Sequence, residues 1–396
     1  WAEVLVARAG ATDTLSRAAA WVARLGRAPA RLPVDRAAPA GSNTAAAAAT
    51  LDVALDEQET AALLREAPRA WRTQVNELLL TALALGVRTW AGSPRLLVDL
   101  EGHGRDDVPA GLDVARTVGW FTAVAPVLLD LGEAAGPGEA LVAVKEGLRA
   151  QKHPAQEWGL LRWLSPAGAA VDALRALPPA EIGFNYMGHF EQSLQAGGLF
   201  ERAPESTGAS TSPDNARRYL LDVGGAVADG RLRLSFTWCI ALHERASIEA
   251  LGASVLAALR ALIAACTAPG AGGRTPSDFP LAHLDRAALA RIEARFGPDR
   301  IEDVYALSPL QRGMVFHTLA EPGSGAYVTQ LALTLHGELA ADRLRAAWQR
   351  ALDRNPVLRT AFVADERGEL HQVVCRGVAL RWHEDDWSAL PAEEQV

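Results

Sequence analysis

The segment Glu101-Gly102-His103-Gly104-Arg105-Asp106-Asp107 packs several chemically able side chains into a short run. Glu101 supplies a base, His103 a group that changes charge near neutral pH, and Arg105 a fixed cation. The glycines flanking His103 let the backbone turn sharply and approach a ligand. The same residues also suit a polar surface loop closed by a Glu–Arg ion pair, and spacing alone does not separate the two. A second run, Arg116-Thr117-Val118-Gly119-Trp120-Phe121-Thr122, sets adjacent aromatics beside a glycine, fit to wall a pocket or to fill a core. In Phe184-Asn185-Tyr186-Met187-Gly188, both Asn185 and Tyr186 offer hydrogen bonds to a ligand. On a strand they face opposite ways, so both serve one site only if a bulge intervenes. No Walker loop, dinucleotide fingerprint, Gly-x-Ser-x-Gly elbow or His-x-x-x-His pair occurs, which points away from a nucleotide- or metal-dependent enzyme.

The elements that must position these runs are readable from periodicity. Residues 12–26 form an amphipathic helix stopped by Gly26, 27–49 a surface loop, 51–55 a strand and 56–66 a helix. Over 73–91, Val75, Leu78, Leu79, Leu83, Val87 and Trp90 make one apolar stripe of a helix. Residues 96–100 and 123–131 read as strands on either side of the Gly-rich segment 101–111, and 139–150 as a helix. Leu232, Leu234, Phe236, Trp238 and Ile240 alternate with polar residues behind Asp229-Gly230, a hairpin within 217–240. A long helix over 247–265 takes Ser247 as its N-cap. The Gly/Pro/Thr-dense stretch 267–278 reads as a flexible linker. Beyond about 300 come a helix from Ser308 (with Pro309 as its first residue), a strand at 327–336, a helix at 340–354, and strands near 358–364 and 369–375. Strands and helices on both sides of the linker place the chain in the α/β (α+β) class.

The 396 residues carry 49% hydrophobic and 22% charged side chains, ordinary globular composition that excludes a disordered chain. A formal net charge of −8 gives no support to a nucleic-acid partner. Cys239, Cys266 and Cys375 are far apart and show neither disulfide nor metal spacing, which suits a reducing, cytoplasmic setting. No run of eighteen or more apolar residues is present, so no membrane partner is expected. The start at Trp1 and the end at Val396 read as cuts through a longer polypeptide.

Taken in order, E-G-H-G-R-D-D at 101–107, D-V-A-R-T-V-G-W-F-T at 113–122 and F-N-Y-M-G at 184–188 resemble the epimerization domains of nonribosomal peptide synthetases. The text T-Q-V-N-E-L-L-L-T-A-L-A at 73–84 and D-G-R-L-R-L-S-F-T-W at 229–238 fits as well. After the linker, Y-A-L-S-P-L-Q-R-G-M-V-F-H at 305–317 and R-N-P-V-L-R-T-A-F at 354–362 resemble the opening of a condensation domain, of the type that follows an epimerization domain. The resemblance implies a chloramphenicol-acetyltransferase-like lobe, the second half of a two-lobed domain, plus a partial second lobe. It divides the chain into an epimerization lobe at 1–266, an interdomain linker at 267–299 and the start of a condensation domain at 300–396. The family's His-His-x-x-x-Asp-Gly motif is not found in this sequence and belongs to the other lobe. The chain departs from the family at Q-K-H-P-A-Q-E-W-G-L-L-R, 151–162, where a Gly/Tyr-rich stretch is usual.

By resemblance, Glu101 is one of two acid/base groups that remove and return the Cα proton of a thioester-bound residue, L to D. His103 and Arg105 orient the loop, Trp120 lines the site, and Asn185 or Tyr186 binds or positions the substrate. No cofactor is bound directly; the substrate arrives on the 4′-phosphopantetheine of a peptidyl carrier domain, with the missing lobe and other synthetase domains as partners. The competing readings are a condensation-type domain across both pieces, a non-catalytic docking module with a decayed site, and a free-standing acyltransferase.

Overall fold

The computed structural model describes residues 1–27, 31–105, 112–151, 155–189, 205, 208–321, 323–365 and 368–391. They form two units, Trp1–Gly273 and Arg274–Val396.

In the first unit the chain runs through α1 (Ala2–Ala9), α2 (Thr12–Ser16), α3 (Ala18–Leu25), β1 (Ala48–Ala54), α4 (Glu57–Arg65), α5 (Ala67–Trp71) and α6 (Val75–Ala91). It continues through β2 (Arg95–Gly102), β3 (Ala123–Asp130), α7 (Pro137–Ala150), α8 (Ala155–Gly159), a π-helical turn at Leu160–Leu164, and α9 (Ala169–Arg175). It closes with β4 (Ile182–His189), β5 (Leu221–Ala228), β6 (Arg231–Cys239) and α10 (Arg245–Thr267). The helix expected over 12–26 is two helices that meet at Arg17. The expected start of α10 at Ser247 is corrected to an N-cap at Glu244, with Ser247 inside the first turn.

The six strands lie in the order β1-β6-β5-β4-β2-β3. β4 runs parallel to both of its neighbours and the other pairs are antiparallel. The β5–β6 hairpin turns at Asp229 and Gly230, with φ of 50° and 70°, as the Asp-Gly pair predicts. Strand alternation sorts the sheet into two faces. Leu96, Val98, Phe184, Val223, Leu234 and Phe236 face the helix layer of α6, α7 and α10 and form the main core. On the opposite face, Leu97 and Leu128 pack under α3, α8 and α9 with Trp21, Leu161 and Leu174. Among the described residues that second layer packs on the β2–β3 end, and the face stays open further along the sheet, where Asn185, Asp222, Ser235 and Asp52 are half-buried or exposed.

α10 is long and apolar enough to cross a bilayer by length and composition, with a mean hydropathy of 1.8. Here it is a core helix: Ile248, Leu251, Val255, Leu259 and Leu262 are buried. It crosses α6 closely. A Cβ at Gly86 would lie 2.5 Å from Val255 Cγ2 and 3.1 Å from its backbone nitrogen. Gly86→Ala is therefore expected to lower unfolding stability by about 1–3 kcal/mol through overpacking. The check is a lower urea midpoint with an unchanged slope.

Within the stretch read as a linker, Gly273 N donates to Ala70 O at 2.9 Å. Its remainder belongs to the second unit. There Thr275 caps a short 3₁₀ turn at Pro276–Asp278, and α11 (Arg286–Phe296) follows. The unit continues with β7 (Ile301–Ala306), α12 (Pro309–Ala320), α13 (Ala341–Arg354), β8 (Thr360–Ala364) and β9 (Leu370–Cys375). The strands form an antiparallel sheet in the order β7-β9-β8. Its core joins Phe279, Leu289, Ile292, Val304, Val363 and Val373, so the α11 segment folds with this sheet. Ser308 caps α12 in a reciprocal box with Gln311. The strand expected at 327–336 is corrected: among the described residues nothing pairs with this segment, and Leu331, Leu333 and Leu335 are exposed. An alternating pattern without a neighbour for its backbone groups does not make a strand.

Candidate active site

β2 and β4 run side by side, with Leu100 opposite Phe184. Both of these side chains join the main core's face, so the next residue on each strand, Glu101 and Asn185, points to the open face. There Asn185 Nδ2 donates to Glu101 Oε2 at 3.0 Å. The two lie in a hollow of 170 Å³ whose floor includes Gly183 and Gly224. Tyr186, one residue further on, packs on the main core instead. The irregularity in β4 falls between Tyr186 and His189, too late to turn Tyr186 back to the Glu101 side. The burial that places Tyr186 there raises its pKa.

Asp99 shares this face, two residues before Glu101. Its side chain is only 5% exposed. Its Oδ2 accepts from the Tyr219 hydroxyl at 2.9 Å and from Arg218 Nη2 at 2.8 Å. A Cβ at position 183 would sit 2.5 Å from the Tyr219 ring, so only glycine lets this ring lie over β4. Burial raises the Asp99 pKa, against the pull of Tyr219 and Arg218. Burial, followed by the Asp99 charge, drives the Tyr219 hydroxyl well above the usual phenol range, so it stays protonated and donates. Beside it, Arg217 pairs with Asp222 at 2.5 Å and donates to Thr237 O at 2.8 Å.

After β2 the chain turns at Gly104, whose φ is +66°. Arg105 donates to Val114 O, and to Thr117 O at 3.0 Å, with its guanidinium 4.2 Å from the Phe121 ring centre. It thus ties the loop after Glu101 to the segment before β3. His103 Nδ1 accepts from Arg105 N at 3.2 Å. Gln156 on α8 donates to Gly104 O. Its neighbour Glu157 accepts from Arg17, and from Trp21 Nε1 at 3.0 Å. Trp120 is 86% exposed and lines a separate groove of 490 Å³ with Phe121, Trp158, Trp163 and Arg218. Asp106 and Asp107 lie outside the described residues. Glu101 and Asn185 are therefore brought together, Arg105 and His103 shape the adjoining turn, Trp120 lies in the neighbouring groove, and Tyr186 faces away.

Sequence reasoning missed Asp99, Arg218, Tyr219 and Gln156. Asp99 sits inside L-L-V-D-L, read only as a buried strand, yet its two-residue spacing from Glu101 places both on one face. Nothing in the one-dimensional pattern signals that Arg218 and Tyr219 reach it.

The pattern of the family described as Condensation domain matches residues 1–284 and 301–395. The chain belongs to the condensation-domain family. This condensation-family chain is 40% identical over 396 residues to a linear gramicidin synthase of Brevibacillus parabrevis, across 100% of the chain and 5% of the relative. It is 37% identical over 401 residues to chondramide synthase cmdD of Chondromyces crocatus, across 90% of the chain and 10% of the relative. It thus spans a small part of the peptide synthases it matches, and it is condensation-type sequence of the nonribosomal peptide synthetase kind. Among solved structures, the epimerization domain from the third module of tyrocidine synthetase B is similar at 33% identity with a TM-score of 0.61. The match covers 68% of this chain and 59% of that domain. Its mixed α/β sheet is the fold of the condensation family.

Proposed function

We propose that residues 1–273 are the C-terminal lobe of an epimerization domain and that residues 274–396 begin a condensation domain. The observation that carries this reading is the Glu101–Asn185 pair at 3.0 Å, in a hollow of the open sheet face. The similarity to an epimerization domain supports it, as does the matching of the family pattern in two separate stretches.

In this reading the substrate is an aminoacyl or peptidyl thioester on the phosphopantetheine of a carrier domain. The Glu101 carboxylate takes the Cα proton, leaving an enolate conjugated with the thioester carbonyl. A group from the complementary lobe delivers a proton to the opposite face of that carbon, and the reverse reaction exchanges the two roles. Asn185 holds Glu101 through one N–H and has a second N–H to present to the substrate. Arg105 and His103 set the turn that fixes where the strand ends.

The test is solvent exchange. The intact parent domain, given a carrier-loaded L-configured thioester in deuterium oxide, is expected to incorporate deuterium at Cα and to yield both configurations. Unexchanged L substrate, together with new peptide bond formation in the same assay, overturns this reading in favour of a condensation activity.

A further inference from the structure

We propose that Arg218 recognises a backbone carbonyl of a peptidyl substrate, and that Asp99 and Tyr219 are positioning residues that hold Arg218 for this task. The inference rests on Glu101 being the reacting group. Among the described residues Arg218 is anchored at one end only. Nη2 is on Asp99 at 2.8 Å and the guanidinium lies 5.2 Å from the Tyr219 ring centre, yet the side chain remains 59% exposed. A carboxylate as buried as Asp99 is costly on an otherwise open face, and its two donors fix it firmly. The fork that it holds therefore has a set direction.

That direction matters because of what adjoins it. Asp99 borders both the Glu101 hollow and a groove of 310 Å³ that includes Pro126, Trp158 and Leu177. Arg218 borders that groove as well as the 490 Å³ groove of Trp120 and Trp163. Asp99 and Glu101, two residues apart on one strand, are separated by roughly 6.5 Å. Successive Cα atoms of a peptide are about 3.8 Å apart. In the proposed binding mode the substrate has its reacting Cα at Glu101 and its chain runs past Asp99, which borders both the hollow and the groove, so that the carbonyl of the residue before meets Arg218 and that residue's side chain meets the apolar grooves. Arginine offers only donors. The acylated nitrogen of a peptidyl thioester comes with a carbonyl acceptor. The α-ammonium of an aminoacyl thioester brings only more donors. Arg218 accordingly favours peptidyl over aminoacyl substrates.

The probes are alanyl-pantetheine and leucyl-alanyl-pantetheine with the thioester replaced by an unreactive amide, titrated onto the intact parent domain by calorimetry. The leucyl-alanyl probe is expected to bind roughly tenfold more tightly, the size of one charge-assisted hydrogen bond. Arg218→Gln is expected to erase that ratio. Arg218→Lys keeps a cation beside Asp99, and so guards against misfolding, but lacks the fork; it is expected to lose most of the ratio too. Asp99→Asn is expected to narrow it, and the double variant Asp99→Asn/Arg218→Gln to behave like Arg218→Gln alone. Structural damage weakens both probes equally, so a ratio kept in Arg218→Gln and Arg218→Lys, or absent from the wild type, overturns the inference. Solvent exchange is scored separately. Glu101-dependent exchange with an Arg218-independent ratio rejects this inference alone. An Arg218-dependent ratio without exchange rejects the epimerization reading and leaves peptidyl binding standing.

Discussion

Glu101→Gln in the intact parent domain is expected to cut α-proton exchange by about 10²–10⁴-fold, or roughly 3–5 kcal/mol of barrier. Glutamine keeps the size of the side chain and can still accept from Asn185 Nδ2, which lies 3.0 Å from Glu101 in the wild type. It cannot take a proton from carbon at neutral pH. Binding of a carrier-loaded substrate should change little, because the surrounding hollow is built by Gly183, Gly224 and Tyr219 rather than by the charge of Glu101. The measurement is deuterium incorporation from both L and D substrates. Loss from one configuration only assigns Glu101 to that face and the complementary lobe's group to the other. Exchange at the wild-type rate from both returns the E-G-H-G-R segment to the status of a polar loop. Condensation activity then becomes the better account of the first unit.

The fold was legible wherever one period dominated. The stripe over 73–91 became α6 at Val75–Ala91, and Asp229-Gly230 became the hairpin turn of β5 and β6. Those signals are local: an apolar face and a turn that admits positive φ need no knowledge of distant contacts. The segment 327–336 shows the converse, because a strand exists only through its neighbour, and its alternating leucines say nothing about whether one is present. α11 was hidden for another reason. Gly and Pro density just before it suggested a linker throughout, whereas Leu289 and Ile292 pack with Val304 and Val373 from far along the chain. In the site, strand parity was enough to anticipate that Asn185 and Tyr186 diverge. What parity does not give is register between strands, which is set by the whole sheet. The Glu101–Asn185 pair and the reach of Arg218 and Tyr219 to Asp99, 119 and 120 positions away, are products of that register.

Gly104→Ala is expected to reduce exchange on the order of 10²-fold while leaving the β5–β6 hairpin and α6 intact. The backbone at Gly104 has φ of +66°, where an alanine costs roughly 1–2 kcal/mol by itself. The greater problem is space. A Cβ there would lie 1.9 Å from Phe121 O and 2.9 Å from the Phe121 carbonyl carbon, both backbone atoms that no rotamer change can move. The turn must shift, and three bonds shift with it: Gln156 to Gly104 O, Arg105 to Val114 O, and Arg105 to Thr117 O. Glu101 is three residues upstream at the end of β2, so a displacement of about 1 Å at the turn is carried to its carboxylate. Misplacement of that size typically costs about 10²-fold in rate. The outcome separates positioning from stability. Hydrogen exchange should show protection lost across 103–105 and 114–122 but kept in α6 and β6, with α-proton exchange falling in parallel. Full activity in a Gly104→Ala protein with native protection at 103–105 would mean that the turn accommodates a side chain, and that Glu101 is held by Asn185 and its strand alone.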